Sequence, residues 1–333
     1  MRSVPPIDSE YTLSELDVGR GVAVPVPAGL RLPSSRTLCA ALALAASATA
    51  VTWADGLDWT PDRALLVFLA PALVLRRGRR YLLDFVPFAL LILAYAECRG
   101  LAHLASPHPF YRPQLWLETH VLGGVPAEWL QARFWRGTMQ WYDGAAAKLL
   151  NVHFVVPPLV AFTLWTRRRL LFYRFATSMV ALSFASAVVF LVYPSAPPWA
   201  AGQAGLLPGV VKLPPVDDVS SLGAATPTPA NPYAAIPSLH AGYAFLAALT
   251  VAGVVLASRI RLRRTLAALC FLYPLAQSLA VIYTGNHYVV DIVIGCAFAT
   301  AAYAGTNRAF RRLEPVLAFA AARPPLSRGD ARA

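Results

Sequence analysis

Ala234-Ala-Ile-Pro-Ser-Leu-His240 and Tyr283-Thr-Gly-Asn-His-Tyr-Val-Val-Asp291 bracket two apolar runs, about 238–258 and 265–283, which are parted by a turn carrying Arg259, Arg261, Arg263 and Arg264. Each run approaches the roughly 20 residues that a helix needs to cross about 30 Å of hydrocarbon. The first run leaves the His240 side and the second returns to it. The separation of 47 positions from His240 to His287 therefore becomes proximity at one face of a membrane. Asp291 follows His287 by four residues, a spacing that puts both on one helix face. Ionisable groups are costly inside a span, so this pair is first of all a site hypothesis.

Working outward, further apolar runs fall at about 37–54, 63–75, 81–97, 150–166, 174–192 and 288–306, the second broken by Pro71. With 57% apolar and 14% charged residues, the chain reads as all-α and polytopic, an integral membrane protein. The net charge of +12 is a matter of placement. Arg76 to Arg80, Arg167 to Arg169, Arg259 to Arg264 and Arg308 to Arg312 all fall on one side if the spans alternate. By that count 22 of the 29 Lys and Arg residues, tails included, lie there. This is the positive-inside pattern, with both termini cytoplasmic and the His–Asp motifs facing outward. No nucleic-acid recognition motif accompanies the charge.

The organisation expected is a disordered tail (1–36), an N-terminal hairpin (37–80), a membrane core (81–312) with outer loops at about 98–149 and 193–236, and a second tail (313–333). The first span reads as a signal anchor rather than a cleaved peptide. The outer segment 98–149 carries Trp116, Trp129, Trp135 and Trp141. It fits either interfacial amphipathic helices or a solvated loop with some aromatic packing. His153 reads as satisfying an interfacial hydrogen bond, with a headgroup ligand as the alternative. His103, His108 and His120 share the outer segment with Glu118 and could be proposed as a metal set, but their irregular spacing reads as three ordinary loop histidines, and the four cysteines have no paired spacing. No metal or other cofactor is expected. The loop with Asp217 and Asp218 is expected to be mobile and to lie over the site. Alanine and arginine usage hints at a GC-rich, bacterial genome.

A His–Asp pair of this kind serves either chemistry or the tying of helices. Pro237-Ser-Leu-His240 followed by His287-Tyr-Val-Val-Asp291 resembles the second and third motifs of the type 2 phosphatidic acid phosphatase superfamily of membrane lipid phosphatases and phosphotransferases. Tyr193-Pro-Ser-Ala-Pro-Pro-Trp199 and Ile236-Pro-Ser-Leu-His-Ala-Gly-Tyr243 look most like its inositol phosphorylceramide synthase branch. The resemblance covers about 140–306 and implies a six-helix core. It implies His287 as the nucleophile that forms a phosphohistidine, Asp291 as its orienting partner and His240 as general acid. Pro237, Ser238, Tyr193, Trp199, Asn286 and Tyr288 are the implied substrate-binding positions. The substrate would be a membrane lipid phosphate, and the acceptor a polar alcohol, a lipid alcohol or water.

The sequence departs from the lipid phosphatases in two places. Val281 stands where they carry an Arg, six residues before the third-motif histidine, and the first motif ends in Trp199 without basic residues. A site short of fixed cations suits a phosphodiester better than a doubly charged monoester. That favours transfer of an inositol phosphate-like headgroup over release of phosphate from a lipid or prenyl (di)phosphate. Arg99, Arg112, Arg133, Arg136, Lys148 or Lys212 folding over the site would weaken this inference. A transporter or structural membrane protein is the remaining reading, and no clear internal repeat supports it.

Overall fold

A computed structural model describes residues 35–55, 61–105, 108–213 and 231–321. Most of the two expected tails lies outside the described residues, as does the part of the 193–236 loop with Asp217 and Asp218. The described chain is helical throughout, without a named strand. α1 (Ser35–Asp55) and α2 (Pro61–Val74) pack on each other as the expected hairpin, followed by α3 (Gly78–Ala105). The outer segment then forms α4 (Arg112–Leu122), α5 (Pro126–Phe134) and α6 (Trp141–Val152). The chain continues through α7 (Val156–Arg167), α8 (Arg169–Val192), α9 (Pro198–Gln203), α10 (Leu239–Leu256), α11 (Arg263–Leu269), α12 (Leu272–Tyr283) and α13 (Val289–Ala321).

Five stretches are long and apolar enough to cross a membrane: Gly78–Ala102, Arg169–Val192, Leu239–Leu256, Arg263–Tyr283 and Val289–Leu313. A sixth exists if α6 and α7, bent by 43° at the break between them, count as one span. Pro157 and Pro158 open α7, where their missing N–H groups cost least. These six correspond to the six core spans expected. Leu83, Leu90, Val188, Leu279 and Val293 stay exposed on them. Apolar side chains facing outward along the spans are what a lipid environment requires.

The bundle has a basic end. Arg77 donates to the Thr166 carbonyl, and Arg174 lies over the Phe310 ring. Asp84, 7% exposed, accepts from Arg169 at 2.7 and 2.9 Å, from Trp165 Nε1 at 2.7 Å and from the Tyr173 hydroxyl at 2.6 Å. A carboxylate so deeply placed persists because each lone pair is used. Tyr81, Phe85, Phe162, Trp165 and Phe172 pack beside it, with the Phe85 and Phe172 rings stacked at 4.6 Å between α3 and α8.

At the other end α13 crosses α10 where neither has a side chain to spare. A Cβ on Gly295 would meet the Ser238 carbonyl oxygen at 2.3 Å, and one on Gly242 would meet the Gly295 oxygen at 3.3 Å. Small residues permit this approach of two backbones. It brings the first turn of α10, with His240, against the first turn of α13. Gly295→Ala is expected to force the helices apart, destabilising the protein by about 1–3 kcal/mol and lowering turnover. Thermal denaturation in detergent and an activity assay check this, and wild-type values for both would contradict it.

Candidate active site

Ser238 is the N-cap of α10, and its side chain accepts from Ala241 N. Its own N–H donates to the Asp291 carbonyl at 3.0 Å, stitching α10 to α13. Ser238 is fully buried and its oxygen accepts the capping bond at 3.4 Å, so the contact the structure shows for it is a positioning one. Pro237 before it is joined to Ile236 by a cis peptide. The approach to this cap is held by Ser195, whose backbone bridges Phe110 on one side and Ala234 on the other. The Ser195 hydroxyl accepts from Ile236 N at 2.8 Å.

His287 stands on a turn rather than on a helix face, because α13 begins only at Val289. α12 ends in a Schellman-type close: Gly285 N donates to Ile282 O and Asn286 N to Val281 O, at 3.0 and 2.9 Å, with Gly285 at φ 75°. A Cβ on Gly285 would also strike the Val211 carbonyl at 2.7 Å. Asp291 returns to the turn by accepting from Tyr288 N at 2.9 Å, which sets its other contact toward His287.

The result is a line of rings. His287 Nδ1 lies 3.4 Å from Asp291 Oδ2, and His287 Nε2 lies 3.1 Å from His240 Nδ1. His153 extends the line, its ring centroid 4.2 Å from that of His240. Its Nδ1 donates to the Leu150 carbonyl at 2.5 Å, the hydrogen bond expected of it, but it is buried beside the pair and not at an open interface. The Arg99 charge, from the outer part of α3, reaches both His153 and His240. Lys212 sits over the Trp199 ring at 5.2 Å, and Trp199 N in turn donates to the Gly285 carbonyl. One of the outer cations, Arg99, is thus drawn in beside the site, and the argument from a thin phosphate cradle weakens.

The other expected substrate positions divide. Tyr193 is part-exposed and stacks on Phe110 at 4.8 Å. Asn286 is part-exposed, with its amide donating to Thr284 Oγ1 at 2.8 Å. Tyr288 is 1% exposed in an apolar cluster with Val125 and Val281, under the turn. It is packing, not a surface for substrate. Val281 is in the same cluster and fully buried, so a valine there completes the core.

The outer segment proves to be scaffold. α4, α5 and α6 turn Trp116, Trp129 and Trp141 outward and Gln114, Glu118, Gln131 and Asp143 inward. Gln131 binds both sides of the turn region: its amide donates to Val211 O and Tyr283 O at 2.8 Å each, and its oxygen accepts from Val211 N at 2.9 Å. Asp143 accepts from the Tyr283 hydroxyl. Glu118, singled out in the sequence only as the companion of three loop histidines, accepts from Val289 N and Val290 N, the first amides of α13. His120 stacks on Trp116 and stands with the exposed face. Only the inward face, polar where an interfacial helix is usually apolar, hinted at this in the sequence.

Residues 117–305, more than half of the chain, match the family model described as the PAP2 superfamily. No curated protein and no solved structure matches the chain. The match begins inside α4, so it takes in the outer scaffold that the motif resemblance, at about 140–306, left out.

Burial pushes the Glu118 carboxyl up from 4.5 to about 7, with the nearby Asp291 charge adding to the rise and the two amides opposing it. A carboxyl raised in the folded state binds more protons there than in the unfolded chain between these values, so stability falls as pH rises through that window. Wild-type protein is expected to lose melting temperature from about pH 4.5 to pH 7. Glu118→Gln, which keeps an acceptor for α13, is expected to flatten that slope. Equal slopes in melts of the two proteins would show that Glu118 does not titrate there.

Proposed function

The chain belongs to the PAP2 superfamily, an enzyme family acting on lipid phosphates, and from this premise we propose that it is a membrane lipid phosphotransferase working through a phosphohistidine on His287. The observation that carries the reading is the line Asp291, His287, His240. Nδ1 of His287 faces a carboxylate and Nε2 faces a second imidazole. Asp291 holds the proton on Nδ1, leaving the Nε2 lone pair as the nucleophile.

In the first half-reaction Nε2 bonds to phosphorus while the P–O bond to the leaving alcohol breaks, and His240 Nδ1–H gives its proton to the departing oxygen. In the second, an acceptor hydroxyl loses its proton to His240, its oxygen bonds to phosphorus, and the P–N bond breaks. Each half ends with His240 in the protonation state that the next half requires. Arg99 and Lys212 are the positive groups available to the phosphoryl oxygens. The motifs around Tyr193 to Trp199 and Ile236 to Tyr243 favour the inositol phosphorylceramide synthase branch, with an inositol phosphate-like headgroup as the group moved. The positive-inside pattern supports a site on the extracytoplasmic face with both termini in the cytoplasm. One observation favours hydrolysis of a lipid or prenyl phosphate instead: Arg99 and Lys212 supply the charge that a monoester needs.

His287→Ala is expected to abolish turnover while the protein remains folded in detergent, and to remove the acid-labile phosphoryl label trapped by quenching wild-type enzyme. A normal rate in this variant would refute the mechanism. His240→Ala should lose about 10²–10⁴-fold with an alkyl leaving group and far less with a nitrophenyl ester. Equal losses would rule out the general-acid role. Headgroup-labelled phosphodiester and labelled phosphatidate, each assayed with and without a lipid alcohol, separate the readings: label on the alcohol marks a transferase, and free phosphate from the monoester a phosphatase.

A further inference from the structure

Beside the histidine line the bundle contains a narrow cavity of about 100 Å³, partly open to the outside, between α2, α3, α7, α8 and α10. Its walls are almost wholly apolar, with Phe68, Phe85, Phe88, Ala89 and Met179 among them. Tyr81 and Tyr95, both on α3 and both in the lining, stand about 21 Å apart along the helix axis at 1.5 Å per residue. Spread over that length, the volume is a slot and not a chamber.

One end of the slot differs from the rest. There it meets His153, Tyr95 and Tyr243. His153 is the ring that packs against His240 at 4.2 Å, and the Tyr243 hydroxyl is hydrogen-bonded to Ser183 at 2.6 Å. The slot therefore arrives at the reacting line on the side of His240, not of His287. An apolar cavity within a protein stays dry and takes apolar ligands.

We propose that this slot holds one hydrocarbon chain of the alcohol whose oxygen exchanges its proton with His240. The inference rests on the phosphotransferase reading above. In that reading the oxygen that leaves phosphorus in the first half-reaction, and the oxygen that attacks it in the second, both occupy the place next to His240. A chain attached to either oxygen has an apolar path past His153 and along α3. The departing alcohol and the acceptor use the same slot in turn, which demands that one leave before the other enters. A second chain, where the lipid has two, remains in the bilayer. Much of the slot's wall, on α2 and α3, lies ahead of the residues that match the family. The chain-length preference is therefore a property of this protein's own N-terminal helices.

The test uses the full-length protein in detergent and a long-chain primary alcohol with a terminal diazirine. Light-induced labelling is expected on α2 and α3 peptides containing Phe68, Phe85 or Phe88, and excess unlabelled long-chain alcohol is expected to displace it. Labelling should persist in His287→Ala, since binding does not need turnover. Label confined to outward-facing Leu83 and Leu90 would overturn the proposal. So would cavity label that excess alcohol does not displace, which would mark a resident bilayer lipid. Two fillers from opposite walls, Ala89→Phe and Ala64→Leu, should each lower the ratio of long-chain to short-chain kcat/KM by at least about tenfold. An unchanged ratio in variants that fold would also overturn it. If His287→Ala kept its activity, the phosphotransferase reading would fail on its own, while the labelling would still decide what fills the slot.

Discussion

A single backbone hydrogen bond, from Ser238 N to the Asp291 carbonyl at 3.0 Å, joins the two helix starts on which the site depends. Membrane helices gain little from hydrophobic association with one another, because lipid is as apolar as their own side chains. Close contact therefore has to come from packing and polar bonds. Here the contact is backbone on backbone, and Gly295 is the residue that admits it. Once α10 and α13 are held at this distance, the side chains two residues beyond Ser238 and four residues before Asp291 meet with no further adjustment. The histidine pair is a geometric product of the crossing.

The same economy governs the turn that carries His287. It is fixed from three directions: by the Schellman close of α12, by Trp199 N on the Gly285 carbonyl, and by Gln131 reaching from α5 to Tyr283 and Val211. Buried amides and carboxylates are expensive unless every partner is in place. Gln131 and Asp143 on the outer helices meet that condition by turning inward onto Val211 and Tyr283. The tryptophans of these helices are left exposed on the opposite face.

The spans, their order and the His240, His287 and Asp291 set were legible in the sequence because each rests on local periodicity and on the alternation of crossing direction. The residues that complete the site were not. Glu118 finds its partners 171 and 172 positions away and Gln131 finds Tyr283 152 away. No hydrophobic period reports such a pairing. His153 was visible but ambiguous, since one histidine can satisfy a carbonyl and line a site at once, as this one does. The shortage of charge inferred from Val281 and Trp199 is weakened for a related reason. Charge in a motif is local, whereas Arg99 and Lys212 enter from elements that the motifs do not include. Asp291 was placed correctly beside His287, yet by a capping turn and not by a shared helix face.

The Asp84 cluster has a mechanical meaning as well as an electrostatic one. Breaking a buried, fully used ion pair costs about 3–5 kcal/mol, so α3, α7 and α8 are riveted together at the basic end. At the opposite end α7 is joined to α6 only through a 43° bend with no continuous helix across it. A bundle stiff at one end and jointed at the other deforms like a pair of tongs. It gives first at the jaws, where the histidines stand.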